Sequence, residues 1–205
     1  MSSSWENSLR KLGFAEPARY SVVESWVRSA ATLLSRDGEV RFRRVDQTDL
    51  VRRQQKAADL IAAAGPRLAR LITEIPGNTT VAYVTDADGI VLLSYGNVDQ
   101  IEIFGLSPGY DWSERAMGTN GAGTALAARK PVAVVGPEHY LRAFENCTCT
   151  ASPIFGALRT LVGAIDVSSS VEEASPERLS DVIATAFDIE QELYARAFPK
   201  SKARN

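Results

Sequence analysis

A glycine-rich run, GTNGAGT from Gly118 to Thr124, is the first candidate for chemistry. A phosphate-binding P-loop has the pattern G-x-x-x-x-G-K-[ST], in which the lysine reaches the terminal phosphates. Here Thr124 stands where that lysine must be, and the order G-x-x-G-x-G also departs from the dinucleotide-binding fingerprint. The run therefore predicts a turn whose backbone N–H groups approach an anion, a carbonyl or a strand closely, and not a phosphate cradle.

A second group of reactive side chains is His139, Cys147 and Cys149. His139 is the only histidine of the chain, so no pair of histidines can form a metal-binding face, and the spacing supports neither zinc nor haem. The two cysteines share one side of an extended strand, a geometry that does not favour a disulfide between them. Buried, inert thiols and a core or pocket histidine are the simpler interpretation. A thiol- or metal-based redox or gas sensor built on these residues stays open as an alternative.

Composition narrows the class of protein. The chain has 205 residues, 45% of them hydrophobic, which is enough for one good core with helical extensions. Lys and Arg number 23 against 25 Asp and Glu, so no charge bias favours nucleic acid or an anionic membrane. No apolar run approaches the roughly 18 residues that a membrane span needs. We expect a cytoplasmic protein without disulfides.

Helices are predicted at both ends of the chain. Residues 17–36 place Val23, Trp26, Ala30 and Leu33 at helical spacing. A second helix is predicted to begin after the capping pair Thr48-Asp49 and to bend or break at Gly65-Pro66, with its apolar face continuing to Ile75.

Between them the apolar period changes from about 3.6 to 2, which indicates a sheet. TVAYVTDADGIVLLSY predicts a hairpin that turns at Asp88-Gly89, and Pro131 places the strand 131–135 at a sheet edge. The other predicted elements are a short helix at 123–129, a single short helix at 138–144, and strands at 147–155 and 160–167.

A long C-terminal helix is predicted to begin at Ser175-Pro176-Glu177. Its apolar positions Leu179, Val182, Ala186, Ile189 and Leu193 repeat every 3.5 residues, which suits a seam between two helices. We interpret this stripe as a dimer contact, with packing on its own domain as the alternative.

Residues 108–154 resemble the GAF sensor domain of sigma-54-dependent activators that regulate acetoin, glycerol and short-chain alcohol catabolism. Four motifs of that family stand in register: W-x-E at Trp112, G-T-N-x-x-G-T-A-L at Gly118, E-H-[FY] at Glu138 and C-[ST]-A-x-P-I at Cys149. The resemblance extends over roughly residues 40–170. One departure is FGALRT after Ile154, where the family has an Asp-x-x-Gly-type hairpin.

The resemblance implies an α+β fold, with a GAF-like antiparallel sheet, flanking helices, and a small ligand held between the sheet and covering loops. We expect an N-terminal helical segment (1–48), the sensor domain (49–170), a signalling and dimer helix (171–198) and a loose tail (199–205), with the terminal helices forming a dimer bundle. The candidate ligand contacts are Trp112, Met117, Thr119, Asn120, Thr124, His139, Tyr140 and Phe144. Capping of the next helix is the alternative for Thr119 and Asn120, and plain core packing is the alternative for Trp112.

The predicted function is small-molecule sensing in transcription control, by a homodimer that binds a short alcohol, a ketone or a related catabolic metabolite. We expect no cofactor, no metal, no catalysis, no membrane and no direct nucleic-acid binding. A GAF-fold enzyme is a further alternative, although the cysteine arrangement of GAF-fold methionine sulfoxide reductases is absent. The family's ATPase and DNA-binding modules cannot fit in the seven residues after Phe198, so the sequence is either an excised sensor segment or a free-standing sensor domain.

Overall fold

A computed structural model describes residues 17–32, 34–75 and 77–199 of the chain, and the side chains from residue 20 onward within those ranges. Leu33 of the predicted first helix, residues 1–16 of the predicted N-terminal segment, and residues 200–205 of the predicted tail lie outside the described residues.

A five-stranded sheet is the centre of the fold, in the order β2-β1-β5-β4-β3. Its strands are β1 (Val81–Asp86), β2 (Val91–Gly96), β3 (Val132–Val135), β4 (Cys147–Phe155) and β5 (Leu161–Ser170). Every neighbouring pair is antiparallel, so the predicted α+β fold with an antiparallel sheet is confirmed. The hairpin at Asp88-Gly89 forms as predicted, and β3 lies at a sheet edge, where the missing N–H of Pro131 costs nothing.

Seven α-helices and three short 3₁₀ turns surround the sheet in the described part of the chain. The helices are α1 (Pro17–Ala30), α2 (Gln47–Lys56), α3 (Ala58–Glu74), α4 (Val98–Ile103), α5 (Glu114–Met117), α6 (Gly121–Ala128) and α7 (Glu177–Ala197). The 3₁₀ turns are Gly136–Glu138, Arg142–Phe144 and Val171–Glu173.

One face of the sheet is covered by α3 and α7. The main apolar core lies here and includes Leu68, Val84 and Ile165 together with Val182 and Ile189 of α7. The predicted intermolecular seam on α7 is therefore wrong: Val182, Ala186 and Ile189 are buried against the protein's own sheet, because α3 packs on β1 and β2 and leaves β4 and β5 to α7.

The other face is covered by α1, α5, α6 and the loops between β2 and β4. A second core there contains Tyr83, Trp112, Met117 and Phe144. Val22 of α1 packs nearby with Val134 and Cys149. The two terminal helices thus lie on opposite faces of the sheet, so they do not form a shared bundle within one chain.

Three predicted helices differ from the observed ones. The first ends at Ala30 rather than at residue 36, because the chain then turns to pair with the 139–144 segment. The second begins at the cap Asp46, breaks at Ala57 and continues through Gly65-Pro66, where burial of the helix face holds it in place. The single helix predicted at 138–144 is two 3₁₀ turns, because His139 is extended (ψ 138°).

The glycine run brings α6 into direct contact with the sheet. A Cβ on Gly121 would lie 2.0 Å from Oδ2 of Asp166 and 2.7 Å from Cβ of Cys149. Gly118 has φ +67°, and a Cβ there would lie 2.6 Å from Cβ of Tyr140. These glycines are required by close packing, which was one of the interpretations left open by the sequence.

We expect Gly121→Ala to lower the free energy of unfolding by about 1–3 kcal/mol, because the methyl group must displace Asp166 or α6. Ser180→Ala, at an exposed position of α7, is the control: it adds no buried atom, and the better helix propensity of Ala should leave stability equal or higher. Urea denaturation of both variants measures the difference. Equal stability of the two variants would contradict this account of the glycine run.

Candidate functional site

A small cavity lies between the loop-covered face of the sheet and the loops above it. It has a volume of about 20 Å³, enough for about one water molecule. Its lining consists of Thr79, Val81, Gln100, Phe104, Leu106, Trp112, His139, Phe144, Cys147, Cys149, Ser168 and Ser169. The lining contains no Asp, Glu, Lys or Arg, so with His139 neutral none of the twelve side chains is charged.

A larger open groove, of about 640 Å³, lies at the opposite end of the strands. It is bordered by α2, the β1–β2 turn and the β4–β5 hairpin, and its charged side chains are Arg52, Arg53, Lys56, Asp59, Asp86 and Asp88. This groove contains none of the residues that the sequence singles out for ligand binding. The small cavity is the better candidate site because its lining is largely apolar, carries few charged groups and includes Trp112, His139 and Phe144, whereas the groove is bordered by six charged side chains.

The cavity is covered by aromatic side chains. We call the covering part, which consists of Trp112 and the segment 138–144, the lid. The indole N–H of Trp112 donates to the carbonyl of Gly105 at 2.8 Å, which fixes the ring over the sheet. Phe144, from the second 3₁₀ turn, packs against Trp112 with ring centroids 5.4 Å apart. His139 stands beside Phe144 at 6.2 Å.

His139 is a neutral imidazole held in one tautomer. Its Nδ1 lies 2.9 Å from the carbonyl oxygen of Gly136, which can only accept, so Nδ1 carries the proton. Its Nε2 lies 3.2 Å from Sγ of Cys149 and accepts from that thiol. Burial lowers the pKa of His139 to about 4, so the ring stays uncharged at physiological pH.

Asp166 is a buried carboxyl beneath the cavity that sequence reasoning did not single out. Its Oδ1 accepts from the hydroxyl of Ser168 at 2.8 Å, while Oδ2 has no hydrogen-bond partner among the described residues. Burial raises the pKa of Asp166 to about 7. Tyr83, its neighbour across β1 and β5, is also fully buried, and its hydroxyl also lacks a partner there. The available signal was a lone acid inside the apolar strand LVGAIDV.

The two thiols have the properties of buried cysteines. Burial raises the pKa of Cys147 to about 11 and raises that of Cys149 well above its ordinary value. Reactive cysteines have the opposite shift, because the thiolate is the nucleophile. The described residues include no cluster of three or more His, Cys, Asp or Glu side chains that could hold a metal ion.

Of the predicted ligand contacts, Trp112, His139 and Phe144 line the cavity. Met117 and Tyr140 belong to the adjoining apolar cluster.

The three polar residues of the glycine run point elsewhere. Asn120 caps α6, accepting from the N–H of Gly123 and donating to the carbonyl of Gly118, both at 2.8 Å. The hydroxyls of Thr119 and Thr124 lie 2.8 and 3.1 Å from that of Ser25 on α1. Ligand contact by these residues, and by Met117 and Tyr140, stays a prediction.

Asp166 should make stability depend on pH. Between an unfolded pKa of about 3.9 and the folded value of about 7, the native protein keeps a proton that the unfolded chain releases. Its contribution to the free energy of unfolding therefore falls as pH rises through this window, by at most about 1.4 kcal/mol per pH unit. We expect Asp166→Asn to remove this dependence, so the variant gains stability relative to the wild type between pH 5 and pH 8.

Urea denaturation at several pH values measures the effect. The depressed pKa of His139 acts in the opposite direction below about 6.5, so the difference between variant and wild type is the quantity to follow. Asp181→Asn, on the exposed side of α7, is the control. A constant difference between Asp166→Asn and wild type across pH would show that Asp166 ionises normally.

Comparison with solved structures identifies the fold. A crystal structure of the E. coli DhaR(N)–DhaL complex contains a chain that matches with a TM-score of 0.81 at 16% identity, over 86% of this chain and 62% of that chain. The structural likeness supports the GAF-like architecture that the motifs predicted. None of the helices in the described part of the chain combines the length and apolarity that crossing a membrane requires.

Comparison with curated sequences identifies the family. The acetoin dehydrogenase operon transcriptional activator AcoR of Bacillus subtilis is 32% identical over 185 residues, which are 89% of this chain and 31% of the relative. The propane 2-monooxygenase operon transcriptional activator MimR of Mycolicibacterium smegmatis is 32% identical over 162 residues, 76% of this chain and 26% of the relative. The chain thus spans about a third or less of the length of these relatives.

The family described as "MimR, N-terminal domain" matches residues 12–191, which is most of the chain. The matched range includes the sheet, the whole cavity and both covering layers up to residue 191 of α7. The motifs, the fold and the relatives agree on a regulatory sensor domain of transcriptional activators. This chain belongs to the MimR N-terminal domain family.

Proposed function

We propose that this chain senses a small, uncharged organic molecule in the cavity beneath Trp112 and Phe144, and acts in the cytoplasm as a regulatory, non-catalytic domain of transcription control. The observation that carries the proposal is the lining of the cavity, which is apolar and aromatic with a few neutral polar groups. Ligand sites in proteins have this composition.

The ligand should carry no charge. A carboxylate that entered the cavity would lose its hydration, and no cationic side chain lines the wall to replace it. Asp166, held by the cavity residue Ser168, would add repulsion whenever it is ionised. A short alcohol or a ketone has no charge, so it neither loses the hydration of an ion nor is repelled by Asp166.

The ligand must also open the cavity. A volume of about 20 Å³ does not hold a molecule of five or six heavy atoms, so binding selects a form in which the lid stands further from the sheet. The ligand shifts the population because it binds this open form more tightly than the closed form.

Hydrogen bonds among the described residues tie the lid segment 138–144 to the N-terminal segment. Trp26 of α1 donates to the carbonyl of Glu138 at 2.6 Å, and the hydroxyl of Tyr140 donates to the carbonyl of Leu34 at 3.2 Å. The N–H of Arg142 donates to the carbonyl of Arg36 at 3.0 Å. A lid that moves away from the sheet must therefore carry or release the segment that follows α1.

The end wall of the cavity is tied to the C-terminal helix. Arg178, in the first turn of α7, donates to the hydroxyl of Ser169 at 2.5 Å and to the carbonyl of Glu173 at 2.8 Å. The carboxylate of Glu173 accepts from the hydroxyl of Thr79 at 2.6 Å. Ser169 and Thr79 both line the cavity, so we propose that residues 1–48 and 171–198 are signalling segments around a sensor core at 49–170.

Little favours the other candidate functions. Protonated, buried thiols suit neither a redox sensor nor a cysteine nucleophile, and the cavity lining contains no paired carboxylates. The arginines of α2 and α3 do not form a free basic patch, since Arg53, Arg67 and Arg70 are each ion-paired with acids of this chain.

Butanone and 2-butanol should raise the melting temperature, and butyrate should not. A ligand at 100 times its Kd adds about 2.7 kcal/mol to the free energy of unfolding, which corresponds to roughly 5–10 °C for a domain of this size. Thermal denaturation measures the shift, and the NMR signal of the Trp112 indole N–H locates the ligand. Unchanged melting temperatures across a broad panel of neutral alcohols and ketones would contradict the proposed function.

We further propose that α7 supports a homodimer through its outward side. Ala184, Phe187, Gln191 and Tyr194 are exposed and repeat in steps of three and four, so they form a second, uncharged heptad stripe. Phe187 and Tyr194 keep 57% and 54% of their surface exposed, so the stripe presents aromatic surface to a partner helix.

Light scattering should give the mass of two chains for the wild type. The double variant Phe187→Ser/Tyr194→Ser should give the mass of one chain, because the stripe loses its apolar contacts. Leu158→Ser, at the exposed tip of the β4–β5 hairpin, is the control and should remain dimeric. A monomeric wild type, or a double variant that stays dimeric, would rule out this seam.

A further inference from the structure

The hydroxyl, ring and amide groups of the cavity wall in the described residues are already engaged within the protein, with one exception, and the thiol of Cys147 is only a weak donor. The hydroxyl of Ser168 donates to Asp166 at 2.8 Å. The hydroxyl of Ser169 accepts from Arg178 and lies within bonding distance of the carbonyl of Ser170.

The same is true of the remaining hydroxyl and ring groups. Thr79 donates to Glu173 at 2.6 Å and accepts from the N–H of Ser170 at 2.9 Å. Both ring nitrogens of His139 and the indole N–H of Trp112 also have partners. A guest that hydrogen-bonds to any of these groups must first break a bond of the native protein, so its net gain there is small.

Gln100 is the exception. Its backbone N–H is held by the side chain of Asn97 at 2.9 Å, but its carboxamide makes no hydrogen bond within the described part of the chain. The side chain lies on the cavity wall and is partly exposed. A carboxamide both donates and accepts, so it can bind a carbonyl oxygen through its NH₂ group or a hydroxyl through its oxygen.

The helix that carries Gln100 is loosely attached. None of the six residues of α4 is buried, and Val98 and Ile103 keep 66% and 62% of their surface exposed. Few buried apolar contacts mean a low free energy of local opening. Within α4 only Ile101 packs against the core beside the cavity, and it is only partly buried, so moving α4 outward would expose little of the core.

Two glycines flank α4 in backbone conformations that favour glycine. Gly96 has φ +125° and Gly105 has φ +57°. The carbonyl of Gly105 is held by Trp112, so the chain is fixed at that end while α4 itself is not. Phe104 and Leu106, which follow the helix, line the cavity, so a movement of α4 changes the cavity directly.

We propose that Gln100 is the residue that recognises the oxygen of the ligand, and that α4 is the segment that moves outward to admit it. The inference rests on the proposed function and specifies it: the ligand has one hydroxyl or carbonyl oxygen on a small apolar body. Alcohol and ketone of the same skeleton both satisfy Gln100, whereas a molecule of that shape without the oxygen does not.

The test uses the full chain and three probes of similar shape: butanone, 2-butanol and 2-chlorobutane. Gln100→Leu keeps the volume and helix propensity of the side chain but removes its hydrogen bond. We expect it to weaken binding of butanone and 2-butanol about five- to tenfold, as for the loss of one neutral hydrogen bond, and to leave 2-chlorobutane unchanged or tighter. Gln55→Leu, an exposed position on α2, is the matched control and should change nothing.

NMR chemical-shift titrations give the dissociation constants. Equal weakening of all three probes, or no weakening of any, would overturn the role of Gln100 while leaving the proposed sensor in place. A wild-type protein that binds none of the probes would overturn both. The fold of each variant is checked by the dispersion of its spectrum and its melting temperature.

Hydrogen exchange tests the movement of α4 independently. Without ligand, its amides should exchange faster than those of β5 or α3, through local opening. Saturating 2-butanol should change the amide exchange rates of α4 severalfold in the wild type. The same concentration should change them much less in Gln100→Leu. If ligand changes exchange in the 139–144 segment but leaves α4 unaffected, entry occurs through that segment and the gate assignment is wrong.

Discussion

The loop-covered half of the structure depends on how closely α6 approaches the sheet. Because Gly121 has no side chain, the first turn of α6 rests directly on Asp166 and Cys149. That contact brings Thr119 and Thr124 against α1 and seals Asp166 from water. A single methyl group at residue 121 would push these layers apart, so the glycine determines the depth at which the cavity floor lies.

The close packing of α6 on the sheet buries a line of polar groups beneath the cavity. It runs from the carbonyl of Gly136 through His139, Cys149 and Ser168 to Asp166. Ser168 has one hydroxyl hydrogen. It donates that hydrogen to Asp166 when the carboxyl is ionised, and can donate it to Cys149 when Asp166 is protonated. Burial holds His139 and both thiols in their neutral forms, which keeps the floor of the cavity suited to an uncharged guest.

The two terminal helices are attached in different ways. The hydroxyls of Ser25 and Ser29 meet Thr119 on the buried side of α1, and Arg28 forms a two-point ion pair with Glu114 at 2.6 and 2.8 Å. Beyond its first turn, where Arg178 is buried, the covered side of α7 is apolar and completes the main core. Polar contacts break over short displacements and exchange readily with water, whereas an apolar helix face must stay covered. We therefore expect α1 to move more freely than α7, and α7 to respond mainly at its first turn, where Arg178 is held.

The sequence alone determined the architecture and the family. Periodicity identified the hairpin at Asp88-Gly89, β4 and the edge strand after Pro131, because alternating burial leaves a direct record in residue order. Four motifs in register identified the sensor domain, and aromatic residues with His139 located part of the cavity. Only the tertiary structure decided which side of α7 meets the sheet, since a 3.5-residue stripe packs equally well on a partner helix or on its own core. It also decided that Thr119, Asn120 and Thr124 bond to the protein, and that Asp166 and Gln100 lie at the site, because hydrogen-bond partners far apart in sequence leave no local pattern.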